Sequence, residues 1–115
     1  MQKPSILIVD DEKAARYGMK KILQKDNYTV YEAKDGADAL QIIKTQHPEL
    51  IFLDINMPQL DGMKILEMIS AIKNPPLVVI VTAYGSEKIA VEAMKLGARD
   101  YLTKPEETLL LLAIL

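Results

Sequence analysis

Four strand-like runs in this 115-residue chain stop at residues that can do chemistry. Ile6-Leu7-Ile8-Val9 runs into Asp10-Asp11-Glu12, and Leu50-Ile51-Phe52-Leu53 runs into Asp54. Leu77 to Val81 ends at Thr82, and Asp100-Tyr101-Leu102-Thr103 reaches Lys104. Taken alone, Asp54 reads as an aspartate capping a turn. Gathered at one edge of a sheet, the set reads differently. Three carboxylates repel one another unless a cation joins them. The chain has no Cys and one His, His47 beside Pro48, so the available ligands are oxygens. Oxygen ligands favour a hard cation, and magnesium takes one or two carboxylates, keeps waters and shares a phosphate. A carboxylate beside a divalent cation can act as nucleophile and form an acyl phosphate. Lys104 would offset charge on the phosphoryl oxygens, and Thr82 would donate a hydrogen bond to one of them.

The elements that must position these residues follow from the hydrophobic pattern. The runs at 6–9, 50–53 and 77–81 are apolar without alternation, which suits strands buried on both faces of a parallel sheet. Met57-Pro58 cannot extend the third strand, because proline donates no ladder hydrogen bond. Residues 28–33 and 100–103 are mixed and suit sheet edges. Between the strands lie helical patterns. Ala15, Met19, Ile22 and Leu23 mark one at 13–25, with Asp11 or Glu12 at its start and Asn27 as its stop. Asp35-Gly36 opens a second, carrying Ala39, Leu40 and Ile43 and closed by His47-Pro48. Asp61-Gly62 starts a third with Ile65, Leu66, Ile69 and Ile72 on one face, stopped by Asn74-Pro75-Pro76. A fourth has Ser86 as N-cap, a buried stripe of Ile89, Ala90, Ala93 and Met94, and Gly97 as a left-handed stop. A fifth begins near Glu106 and is apolar almost all round from Leu109 to Leu115.

Strict strand–helix alternation predicts an α/β fold: a five-stranded, doubly wound parallel sheet between two helical layers, with right-handed crossovers. The order 2-1-3-4-5, the flavodoxin-like arrangement, satisfies the placement of apolar strands at the centre and mixed strands at the edges. Its switch point falls between the first and third strands, which end in Asp10-Asp11 and Asp54. In open α/β sheets ligands bind at that edge.

Composition narrows the function classes. Residues 1–115 read as one domain. Hydrophobic residues make up 50% and charged residues 26%, and 14 basic against 16 acidic side chains give a net charge of −2. No basic patch suggests direct nucleic-acid contact. Without cysteine, disulfides, thiol catalysis and thiolate metal sites are excluded. The apolar run at 6–9 is too short for a signal peptide or membrane span, so a cytoplasmic setting is expected.

The chain resembles response-regulator receiver domains over essentially its whole length. The matching pieces are Ile-Leu-Ile-Val-Asp-Asp at 6–11, Leu-Asp-Ile-Asn-Met-Pro at 53–58 with Asp61-Gly62, Thr-Ala-Tyr-Gly at 82–85, and Gly-Ala-Arg-Asp-Tyr-Leu-Thr-Lys-Pro at 97–105. Segment 82–105 is most similar to NtrC-type regulators, which drive an ATPase with a DNA-binding domain. The resemblance implies that Asp54 accepts a phosphoryl group from the phosphohistidine of a sensor histidine kinase. It implies Mg²⁺ bound by Asp11, Asp54 and the backbone carbonyl of Asn56, with Asp10 acting through water. It further implies a cis Lys104-Pro105 bond and a switch in which Thr82 and Tyr101 move together. Such a domain catalyses only its own phosphorylation and dephosphorylation.

Two finer expectations concern lifetime and partners. Asn56 and Tyr84, two residues past Asp54 and Thr82, would flank the phosphoryl group, and a bulky Tyr84 would impede the attacking water. The apolar residues 109–115 cannot all face the sheet, so self-association or docking of an output domain at the helix 4–strand 5–helix 5 surface would cover them. The chain stops inside that run, which reads as a cut between domains of a longer regulator. Glu106 departs from the hydrophobic residue that usually follows Lys-Pro in the family.

Three competing readings fare worse. A haloacid-dehalogenase-like phosphatase would need a second acid two residues after the nucleophile, where Asn56 stands, and its motif order would begin with that nucleophile. A receiver-like fold used only for protein contact sits poorly with five intact site positions. A flavodoxin-like cofactor protein would need a phosphate loop after the first strand, where Asp10-Asp11-Glu12 would repel a flavin phosphate.

Overall fold

A computed structural model of the chain describes residues 4–57, 60–82 and 87–103. Strand β1 (Ser5–Val9) leads to helix α1 (Lys13–Lys25), then β2 (Thr29–Ala33) and α2 (Gly36–Gln46). Strand β3 (Leu50–Leu53) leads to α3 (Gly62–Ser70), then β4 (Leu77–Thr82), α4 (Glu87–Lys95) and β5 (Asp100–Thr103). All strand pairings in this sheet are parallel, in the order β2-β1-β3-β4-β5. The apolar runs are the three central strands and the mixed runs are the two edges, as hydrophobicity dictates. This is the flavodoxin-like α/β arrangement.

Alternation along the strands divides the core between two faces. Leu7, Val9, Ile51, Leu53, Val78 and Ile80 pack with Ala39 and Ile43 of α2, with Ile65, Leu66 and Ile69 of α3, and with Ala93 of α4. Ile6, Ile8, Phe52, Val79 and Val81 pack on the opposite face with Met19 and Leu23 of α1. The fifth helix expected near Glu106 lies outside the described residues.

Helix ends follow local chemistry. The Asp35 side chain accepts a hydrogen bond from the Asp38 N–H at 2.8 Å, satisfying an orphan donor at the start of α2. His47 ends that helix in the left-handed region at φ 49°, Asn27 does so two residues past α1 at φ 66°, and Gly97 follows α4 at φ 110°. Two expectations fail. Helix α3 ends at Ser70, so Ile72 leaves the apolar stripe and is 38% exposed. Met94 is 47% exposed, and Ala93 is the buried residue of α4. The reason is position: α4 lies against the edge strand β5, so it meets the sheet along a narrow line centred on a small residue. Ser86, the expected cap of α4, lies outside the described residues.

Among the described residues, Phe52 is the largest fully buried side chain, on the central strand that leads to Asp54. Phe52→Ala is expected to lower unfolding free energy by about 3–5 kcal/mol. Urea denaturation of both proteins measures this directly.

Candidate functional site

Register brings the carboxyl ends of the central strands level. Val9 pairs with Leu53, so Asp10 and Asp54 occupy equivalent places on neighbouring strands. The ladder continues one step further on each side. The Asp54 N–H donates to the Val9 carbonyl at 2.9 Å, and the Asp10 N–H donates to the Ala33 carbonyl at 3.1 Å. Both side chains are buried, at 2% and 5% exposure, and Thr82 at the end of β4 is fully buried. Such burial is costly for a carboxylate unless hydrogen bonds or a cation compensate. Among the core residues of the described chain, these three are the buried polar side chains.

The turn after β1 collects acid. Carboxylate oxygens of Asp10, Asp11 and Glu12 all lie within 4.8 Å of one another, the first buried and the other two exposed. The Glu12 N–H donates to Oδ1 of Asp10 at 2.9 Å, which fixes the buried carboxylate against its own turn. Glu12 is the N-cap of α1, yet its side chain makes no capping hydrogen bond. It faces the aspartates instead. The sequence places Asp11 or Glu12 at the helix start, and Glu12 does stand there as the N-cap of α1. Asp54 is not a member of the tight cluster. The signal for Glu12 was present in the unbroken Asp-Asp-Glu run. As a donor set, three hard carboxylate oxygens fit a hard divalent cation and offer nothing to a soft one.

Beyond β3 the backbone turns sharply. Asn56–Met57 pair antiparallel with Leu60–Asp61, a two-residue ladder that the sequence pattern does not signal. Gly62 then opens α3 against Ile55, the residue after Asp54. A Cβ at Gly62 would collide with the Ile55 backbone, so only glycine lets the helix seat this closely. The turn signal Asp61-Gly62 thus conceals a packing requirement.

Thr82 pairs in register with Thr103, and Ile80 with Tyr101. Parallel neighbours in register point the same way, so Thr82 and Tyr101 share the sheet face covered by α4. Tyr101 is half-buried and packs against that core. Tyr84, Lys104 and the Lys104-Pro105 bond lie outside the described residues.

A family model for the response regulator receiver domain matches residues 6–115. The chain belongs to that family. Its relatives include sporulation initiation phosphotransferase F of Bacillus subtilis, 35% identical over 105 residues, covering 91% of this chain and 85% of the relative. Among solved structures, a CheY-like receiver domain protein from Methanospirillum hungatei is 31% identical with a TM-score of 0.87, covering 96% of this chain and 90% of that one. NtrX from Brucella abortus is 33% identical with a TM-score of 0.87; the match covers 99% of this receiver domain but 26% of the NtrX chain. The chain is thus similar to an NtrC-type regulator. Among the described residues of the receiver domain, no helix is long and apolar enough to cross a membrane.

Gly62→Ala is expected to destabilise the receiver domain by about 1–3 kcal/mol through overpacking against Ile55. Gly18 on α1 has open space around it, so Gly18→Ala should instead stabilise by up to about 1 kcal/mol. Opposite shifts in the urea midpoint would separate crowding from helix propensity.

Proposed function

We propose that residues 1–115 form the phosphoacceptor domain of a longer regulator, in which Asp54 takes a phosphoryl group from the phosphohistidine of a sensor histidine kinase. A carboxylate oxygen of Asp54 forms the new P–O bond as the P–N bond to the kinase imidazole breaks. The observation that carries this reading is the pair of buried carboxylates, Asp10 and Asp54, level on adjacent strand ends beside buried Thr82. The all-oxygen cluster at the β1–α1 turn supports Mg²⁺ as the cofactor.

Asp10, Asp11, Asp54 and the Asn56 carbonyl are the residues that would hold the cation. When bound, it supplies positive charge that offsets the phosphoryl oxygens beside the carboxylates. Thr82 donates its hydroxyl to one phosphoryl oxygen, and Lys104, next in sequence after β5, offsets charge on another. Thr82 and Tyr101 lie on one sheet face, which supports their movement as a coupled switch. A phosphoryl group shifts that equilibrium only by its preference for one state. Asn56 and Tyr84 set access of water and hence the lifetime of the acyl phosphate. Val91 and Met94 are about half exposed on α4, which supports the helix 4–strand 5–helix 5 surface as the contact for an output domain, a partner protein or a second copy. The domain turns over no external substrate, contacts no nucleic acid or membrane itself, and works in the cytoplasm.

Incubation with acetyl phosphate and Mg²⁺ is expected to add one phosphoryl group by intact mass, and Asp54→Ala should abolish the adduct. An adduct that persists without Asp54 would refute the assignment, and steady hydrolysis of an external phosphate ester would favour a phosphatase. Tyr84→Ala is expected to shorten the adduct's half-life several-fold. An unchanged decay rate would remove Tyr84 from that role.

A further inference from the structure

Arg16 on α1 reaches in two directions. Its Nη1 donates to the Asp10 backbone carbonyl at 2.6 Å, and its Nε lies 3.4 Å from a carboxylate oxygen of Glu32 on β2. The other Glu32 oxygen accepts from Lys20 Nζ at 3.0 Å, one helical turn beyond Arg16. The Arg16 side chain is 14% exposed, against 30% for Glu32 and 33% for Lys20, so Arg16 is the most shielded of the three. Asp10 is consequently tied at three atoms: its N–H to Ala33, its carbonyl to Arg16 and its Oδ1 to the Glu12 N–H.

We propose that Arg16 is a positioning residue for the cation site and that Glu32 holds it in that role. By gripping the Asp10 carbonyl, Arg16 sets the direction in which the turn presents the carboxylate of Asp11, with that of Glu12 beside it. Glu32 keeps the guanidinium on the backbone, where it cannot swing onto those exposed carboxylates and take the place of the cation. A planar fork can hold a carbonyl and a carboxylate at once, which a lysine ammonium at the same position does not reproduce. Groups outside the ligand set that orient the ligands commonly change metal affinity 10- to 100-fold when removed. This inference rests on the proposed cation site.

For Arg16, charge alone and positioning give opposite signs. Removing a positive charge beside three carboxylates would tighten cation binding by simple electrostatics. Loss of the grip on Asp10 would weaken it.

Mn²⁺ titration followed by electron paramagnetic resonance, with Mg²⁺ competing, reads the affinity of the free protein without any phosphoryl transfer. Arg16→Met is expected to weaken Mn²⁺ binding by about 10-fold or more, and unchanged or tighter binding would overturn the proposal. Glu32→Gln keeps Arg16 and serves even where Arg16→Met does not fold. It should weaken binding several-fold at low salt, with the deficit shrinking as salt screens the released guanidinium. Wild-type affinity in Glu32→Gln would overturn the proposal as well. Should wild-type protein bind no Mn²⁺, or bind it equally well as Asp11→Asn, the cation site itself fails, a result distinct from failure of the clamp.

Discussion

Burying a carboxylate in a protein interior costs several kcal/mol unless the group is compensated. Among the described residues this happens twice, on adjacent strands, at the rim of a sheet whose central strands are largely apolar. Most of the surrounding structure serves that placement. The parallel register levels Asp10 with Asp54, and one further ladder hydrogen bond beyond each strand fixes both backbones. The β1–α1 turn folds Glu12 back so that its N–H holds Asp10. Gly62 brings α3 hard against Ile55, limiting how the chain can leave Asp54.

The fold was legible because its strands differ so plainly in polarity. Three unalternating apolar runs had to be central and two mixed runs had to be edges, and the flavodoxin-like order satisfies both demands. The ends of α1 and α2 were equally readable, since Asn27, Asp35 and His47 carry the conformations that their positions signal. The failures at Ile72 and Met94 share a cause. Periodicity tells which side of a helix is apolar, but not where the helix stops or how broad a surface it meets. Helix α3 stops at Ser70, and α4 rests on a sheet edge too narrow to bury both flanks of its stripe.

The site was readable in its strand-end residues and less so in its supports. Asp10, Asp54 and Thr82 announce themselves as polar residues terminating apolar runs. Arg16 and Glu32 do not. On α1 and β2 they look like solvated charges, and their meeting depends on the packing of a helix against an edge strand. Glu12 stands at the helix start that its position predicts, and its place beside Asp10 and Asp11 is the part the sequence leaves open: acidic residues there can serve the dipole or a cation. Only the backbone of the turn decides between them. The antiparallel pairing at Asn56–Met57 is likewise too short for any periodic pattern to register.

The proposed phosphorylation of Asp54 is the point on which the functional reading turns. Borohydride reduces an aspartyl phosphate to homoserine, so peptide sequencing after reduction of the phosphorylated protein reads the acceptor directly. Homoserine at position 54 alone is the expected result. Homoserine at Asp10 or Asp11, or a phosphoryl group that survives reduction on a hydroxyl side chain, would contradict it.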